Sequence, residues 1–353
     1  MLGRAPANRV SSITITVALG AATAACTPPP VERHPLGEIP SAVTTAEPEW
    51  LPPRVRSGKA EEADAREPHL TELRRLTEGY DIDELAFALD AKLLVLVGRA
   101  PGSKLTALFG VDLAKGTVEP LDTPNERALG LSVNGRGDEA LVVLAPAAAG
   151  APPRIEDVSA AAIFAKAFGK AAPPAFTAGP LTISRAALAP DGSSAYFVAR
   201  SNDGPGLGLF ASSRGAGPAG RALVSGLAEV TPAVSPDRAY VAFVRDASGG
   251  QQSLVMASIE GRSPRELAAG ARFASVAFHP SGERVVYGSD RDREAFELYS
   301  TPLGTEPKTS PERLTFRGAK SVAFTPDGRQ IAFTSKRAGG TFDVFVGRWR
   351  EAP

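Results

Sequence analysis

The stretch Ser321-Val322-Ala323-Phe324-Thr325-Pro326-Asp327-Gly328 is a short alternating strand that runs straight into a turn. It recurs. Ser275-Val276-Ala277-Phe278-His279-Pro280-Ser281-Gly282 stands 46 residues upstream, and Ala187-Leu188-Ala189-Pro190-Asp191-Gly192 and Ala233-Val234-Ser235-Pro236-Asp237-Arg238 carry the same ending. Pro suits position i+1 of a type I turn, Asp position i+2 and Gly position i+3. A second alternating run follows each turn, as in Gln330-Ile331-Ala332-Phe333-Thr334 and Arg284-Val285-Val286-Tyr287, so each copy reads as a β-hairpin.

Working outward, two weaker copies lie upstream, centred on Asp90 and Asn134. Taking Asp90, Asn134, Asp191, Asp237, Ser281 and Asp327 as equivalent, the intervals are 44, 57, 46, 44 and 46 residues: six copies and one insertion. A third strand sits downstream of each anchor (Leu108–Val111, Leu209-Phe210, Leu254–Met256, Leu298-Tyr299, Val344–Val346), and a shorter fourth precedes the next anchor (Pro120-Leu121, Ala222–Val224, Glu266-Leu267, Arg313–Thr315). Four antiparallel strands per repeat of about 45 residues describe a blade of a β-propeller. The last copy ends after its third strand, near Trp349. Leu73-Arg74-Arg75-Leu76-Thr77, placed before the first anchor and similar to Pro311-Glu312-Arg313-Leu314-Thr315, supplies the missing fourth strand. The expected fold is all-β: a six-bladed propeller over residues 71–350, sealed by its own N-terminal strand so that no sheet edge is left open. In the insertion, the repeat register makes Ala162-Ile163-Phe164-Ala165 the third strand of blade two, with extra residues at 145–160 before it; an Ala-rich helix over 155–168 is the alternative.

Composition sets the class. Lys plus Arg and Asp plus Glu both number 39, so the net charge is zero, against broad nucleic-acid binding, which relies on excess basic charge. One Cys excludes an internal disulfide framework, and three His leave little for a histidine-rich metal centre. The Cys has its own context. Arg4 and Arg9 precede a mildly apolar run, Ile13 to Ala25, that closes in Ala22-Thr23-Ala24-Ala25 before Cys26. Thirteen helical residues span about 20 Å, short of a hydrocarbon core of about 30 Å, so residues 1–25 read as a signal peptide. Residues 26–70 carry no hydrophobic period. Nine prolines between Thr27 and Leu70 break helix and sheet alike, and the stretch reads as a disordered tether with His34 and His69 solvated in or beside it.

Small residues directly before a lone Cys resemble the bacterial lipobox, with Thr23 where Leu is usual. The resemblance implies a diacylated Cys26 as the mature N-terminus and, with Thr27 rather than Asp after it, an outer-membrane destination. Cleavage after Ala22-Thr23-Ala24, leaving a soluble chain with a free thiol, is the alternative. The repeats themselves resemble the WD40-like repeats of TolB-type propellers. The pattern of an alternating strand, Pro-Asp-Gly, a second alternating strand and Ser-x-Arg is fullest from Val322 to Val346, with Ser335-Lys336-Arg337 at the second hairpin. TolB itself carries an α/β domain before its propeller; here a proline-rich tether stands in that place.

Catalytic signatures are absent from the sequence. There is no Gly-x-Ser-x-Gly elbow and no Walker loop. The Pro-Asp-Gly carboxylates read as turn formers, Asp290-Arg291-Asp292-Arg293-Glu294 as a solvated, self-paired hairpin, and His279 as structural. The expectation is a chain with no catalytic residues, metal or cofactor, and a monomer. Loops joining one blade to the next ring one mouth of the channel. They carry the partner-binding candidates Asp83, Glu84, Glu126, Arg127, Arg185, Glu229, Arg272 and Lys320. Mixed charge on a rigid rim suits a polar protein or peptide segment. The expected protein is a periplasm-facing envelope lipoprotein that binds an envelope protein or peptide and is held to the membrane by its lipid. The alternatives are a small-ligand or glycan-binding propeller and, behind it, a hydrolase or lyase.

Overall fold

The computed structural model describes residues 58–351 apart from 63, 122–125, 147–151, 165–174, 202–203, 205, 218–221, 293–294 and 305–309. The signal peptide, Cys26 and most of the tether therefore lie outside the described residues. The described chain forms six antiparallel sheets arranged as a six-bladed propeller, with consecutive inner strands in contact around the ring. The inner strands are Asp81–Ala88, Glu126–Val133, Thr182–Leu188, Ala233–Val234, Phe273–Phe278 and Ala319–Phe324.

The turn chemistry read from the repeat closes each inner hairpin. The amides of Gly192, Gly282 and Gly328 donate to the carbonyls of Ala189, His279 and Thr325 at 2.8–2.9 Å, the i to i+3 bond of a β-turn. The three glycines have φ between 70° and 75°, a left-handed conformation in which a Cβ is unfavourable. Arg238 stands at the same position in blade four with φ 61°. Each sheet buries its apolar residues against its neighbours: Val95, Val97, Val142 and Leu144 fill the space between blades one and two, and Val244, Leu254, Val285 and Tyr287 that between blades four and five.

The ring closes as the sequence implies. Leu70–Arg75 pairs antiparallel with Asp343–Trp349, which is the third strand of blade six. Leu70 faces Trp349 and Arg75 faces Phe345, with one extra residue between Thr71 and Arg74. Glu72 takes φ 54° at this bulge. Gly347 lies opposite: a Cβ there would stand 2.6 Å from Leu73 Cδ2 and 2.9 Å from the Thr71 carbonyl, so only glycine lets the two strands meet. Asp343, fully buried, fixes the register by accepting bonds from Arg75 Nη2 (2.8 Å), Thr77 Oγ1 (2.9 Å) and the Tyr80 amide (3.1 Å). All three donors come from the N-terminal side of the seam.

The last part of the expected tether is built into the propeller. Lys59–Ala60 adds a fifth strand outside Leu70–Arg75. Glu67 forms an ion pair with Arg337 at 3.1 Å, the two side chains 0% and 2% exposed. The Phe316 amide donates to the same carboxylate, and the Arg337 guanidinium lies over the Phe333 and Phe345 rings. His69 is not solvated. It is 1% exposed, stacks on Trp349 at 4.7 Å, and bonds Glu312 Oε1 and the Arg350 carbonyl. Its burial follows from Leu70 pairing with Trp349, which brings the neighbouring histidine over the indole.

Blade two departs from the repeat register. Its third strand is Arg154–Ser159, paired with Glu139–Pro146, and Ala160–Phe164 is a short helix. Ala162-Ile163-Phe164 is therefore not the third strand, and the additional chain length follows the strand instead of preceding it. Ile155 and Val158 are both β-branched and pack on opposite faces of the strand, which suits pairing, whereas Ala160-Ala161-Ala162 favours helix. Ser159 Oγ accepts the Ala162 amide as its cap. Residues 165–169 lie outside the described residues.

Two stability outcomes follow from the seam. Glu67→Leu leaves the Arg337 charge buried without its partner and is expected to cost about 3–5 kcal/mol in urea unfolding, while the double variant Glu67→Leu/Arg337→Met costs clearly less. Gly347→Ala is expected to destabilise the fold by about 1–3 kcal/mol, and additional truncation of Leu73 to recover none of the clash with the Thr71 carbonyl.

Candidate functional site

The rim owes its shape to bulges. The inner strand of five blades slips register just inside the rim: between Ile82 and Glu84, Ala128 and Gly130, Ile183 and Arg185, Phe273 and Ser275, and Ala319 and Val322. An extra residue at this point turns the strand and re-aims its side chains. Six of the eight sequence candidates, Asp83, Glu84, Arg127, Arg185, Arg272 and Lys320, lie in or beside these bulges. Glu126 opens the inner strand of blade two, and Glu229 precedes that of blade four.

Glu84 is the hub. Its Oε2 accepts the Leu131 amide of blade two at 2.8 Å, and its Oε1 accepts Thr231 Oγ1 of blade four at 2.5 Å. Arg185 Nε of blade three lies 3.4 Å from the same oxygen, and Arg185 Nη1 reaches Glu229 Oε1 at 2.9 Å. One carboxylate thus ties four blades together. Blades one and four face each other across a six-membered ring, so the Glu84–Thr231 bond crosses the axis. Glu84 is only 17% exposed, and burial pushes its carboxyl above the ordinary range, opposed by the Arg185 charge.

A second pairing joins the ends of the repeat. Lys320 Nζ of blade six contacts Asp83 Oδ1 of blade one at 2.7 Å and sits over the Phe342 ring at 4.4 Å. The remaining candidates are local. Glu126 pairs with Arg154 (2.7 Å), and Arg272 pairs with Asp290 (2.7 Å). Within the run 290–294, Asp292 pairs with the adjacent Arg291 (3.7 Å), as a self-paired hairpin implies, and also with Arg313 (3.1 Å), while Asp290 is held by Arg272; residues 293–294 lie outside the described residues. Arg127 is exposed and has no ion pair among the described residues. The structure therefore brings Glu84, Arg185 and Glu229 together, Asp83 and Lys320 together, and leaves Glu126, Arg127 and Arg272 apart. The Leu131 amide escaped sequence reasoning, because a backbone donor leaves no trace in residue type.

Inside the rim, the inner strands enclose an axial channel of about 510 Å³, lined from all six blades, with Phe87, Leu131, Val276, Val322 and Phe324 in its wall. Pro190, Pro236, Pro280 and Pro326 of the repeat turns surround its other end, with Arg136 beside them. His279 stands at this end as a packed residue: its Nδ1 bonds Ser281 Oγ (2.9 Å), its ring meets Phe324 edge-on, and burial lowers its basicity. Among the described residues no group of three or more His, Cys, Asp or Glu side chains is arranged to hold a metal ion.

No protein-family model matches the chain, and no curated protein matches its sequence. Its shape is similar to that of several solved propellers. The gluconolactonase XC5397 from Xanthomonas campestris aligns with a TM-score of 0.52 at 12% identity, over 83% of this chain and 95% of that one. A protein assigned as TolB from Agrobacterium tumefaciens aligns at 0.47 and 13% identity, over 67% and 95%. The oligogalacturonate lyase from Vibrio parahaemolyticus aligns at 0.48 and 14%, over 79% and 94%. At these identities the likeness shows the propeller fold alone.

The buried hub has a pH signature. Glu84 holds its proton more tightly in the fold than in the unfolded chain, so its contribution is full below the ordinary carboxylate range. That contribution is lost as pH rises through the raised folded value. Stability should fall across that window by about 1.4 kcal/mol for each unit separating the two values. Glu84→Gln keeps an acceptor for Leu131 and should remove this component of the slope, read from urea midpoints at a series of pH values.

Proposed function

We propose that the protein is a non-catalytic binding scaffold of the cell envelope, whose rim face holds a protein or peptide partner. The observation that carries this reading is the Glu84–Thr231 bond, which ties facing blades together at rim level. With its charges held by one another, that face presents a polar, pre-ordered surface, suited to an extended partner more than to a small molecule. Fixed charges of both signs select partners by complementarity and set the rate of encounter. Asp83, Glu229 and Arg127 remain accessible at its edge. In this reading Cys26 carries the lipid and the propeller faces the periplasm: multiple acyl chains anchor stably, at about 0.8 kcal/mol per buried CH₂.

A second reading rests on the channel itself. Phe87 and Phe324 in its wall favour a small ligand or glycan admitted from the turn face. The two readings separate by face. In crosslinking capture from intact envelopes, Arg127→Glu on the rim is expected to reduce recovery of the bound protein about tenfold. Arg136→Glu, on the turn face, should leave it unchanged. Equal recovery from both variants would remove the rim from the account, and loss with Arg136→Glu alone would favour the channel. Mass spectrometry of the mature N-terminus tests the anchor, which an unmodified Cys26 excludes.

A further inference from the structure

Blade four breaks the repeat twice, within three residues of each other. Where blades three, five and six have Gly192, Gly282 and Gly328, it has Arg238, held in the left-handed region at φ 61° and paired with Asp191 of blade three. At the start of the second strand, where those blades carry Ser194, Arg284 and Gln330, it has Tyr240. Tyr240 is 43% exposed, one of two large hydrophobic side chains so exposed among the described residues. Blade one also departs here, with Ala91 (φ 60°) and Leu93, but both of those are buried; a left-handed arginine and an exposed aromatic are not explained by packing.

Both departures adjoin a cavity of about 340 Å³ between blades four and five on the turn face. It is lined by Ser235, Asp237, Tyr240, Met256, Arg265 and Leu303, with two glycines. This is within the size of small-ligand sites, about 300–1,000 Å³. Its two charges are unspent. Arg265 is half-buried yet has no ion pair and no side-chain hydrogen bond among the described residues. Arginines 75, 99, 185, 284 and 313, half-buried likewise, each pair with a carboxylate. Asp237 Oδ1 accepts Ser235 Oγ and the Ala239 amide, while its second oxygen has no partner among the described residues. Those hydrogen bonds hold the carboxyl below the ordinary range, so it is charged at neutral pH. Although they line one cavity, Asp237 and Arg265 do not pair with each other.

A fixed cation and a fixed anion that share a cavity without touching, beside an open aromatic ring, are complementary to a molecule carrying both charges. We propose that this cavity binds a small zwitterion of the amino-acid type with an aromatic or aliphatic side chain. Its carboxylate meets Arg265, its ammonium meets Asp237, and its side chain lies against Tyr240, Met256 and Leu303. Arg265 suits the first role because a guanidinium presents paired donors to a carboxylate. The site lies on the face opposite the rim, so it stands or falls independently of the partner-binding reading.

Isothermal titration calorimetry of the full chain with L-phenylalanine tests this, with 3-phenylpropionate and phenethylamine as single-charge probes. L-Phenylalanine is expected to bind with Kd of about 1 mM or tighter, and each single-charge probe about tenfold more weakly. Arg265→Gln should bring L-phenylalanine down to the level of phenethylamine, and Asp237→Asn to that of 3-phenylpropionate, with unchanged thermal unfolding. Tyr240→Ser, which restores the residue type of blade three, should weaken it several-fold without touching either charge. No binding of L-phenylalanine at about 10 mM overturns the proposal. So does equal affinity for the single-charge probes, or indifference to both Arg265→Gln and Tyr240→Ser.

Discussion

Everything in this fold depends on the meeting of residues 70–75 with residues 343–349. A four-stranded blade is too thin to bury its own faces; each is covered only by the blade on either side. The first and last blades become neighbours only if the ring closes, and closure rests on one strand pairing across the ends of the chain. The seam is accordingly the most heavily fastened part of the molecule. Asp343 gathers three donors from the N-terminal side, Glu67 and Arg337 neutralise each other out of water, and His69 covers Trp349. Each contact is costly if half-made, which confines the seam to a single register.

The rim is organised by a different device. Repeated bulges turn the beginnings of the inner strands, and the charges they present are largely satisfied by one another. Glu84 binds groups from three other blades, so the rim holds its charges in place without help from a ligand. Such pre-ordering lowers the entropy lost when a partner is bound. It also makes the Glu84 carboxylate a structural element of the ring.

The architecture was legible because its signals are local and recur. Proline, aspartate and glycine at fixed offsets specify a turn whatever surrounds them, and the flanking alternation specifies two strands. Even the seam could be anticipated, since Leu73–Thr77 resembles Pro311–Thr315. Other features were hidden for physical reasons. A bulge is a change of pairing, not of composition, so Glu84 and Arg185 could be placed on the rim but not in contact. His69 looked solvated because its hydrogen-bond partners lie 243 (Glu312) and 281 (Arg350) positions away in the chain. In blade two the repeat spacing pointed to residues 162–165, while the side chains themselves favoured a strand at 154–159 and helix after it; local propensity prevailed where the insertion had relaxed the spacing.

Gly347 and its bulged partner strand carry a kinetic consequence. Leu70 cannot find Trp349 until all six blades have been synthesised, so the closing strand must wait, unpaired, for the sixth blade. Contacts this distant in sequence make for slow folding, with apolar blade faces uncovered in the interval. Assembly of the circle is thus a final, all-or-none event, and a chain that emerges without its last strand has no partial ring to fall back on.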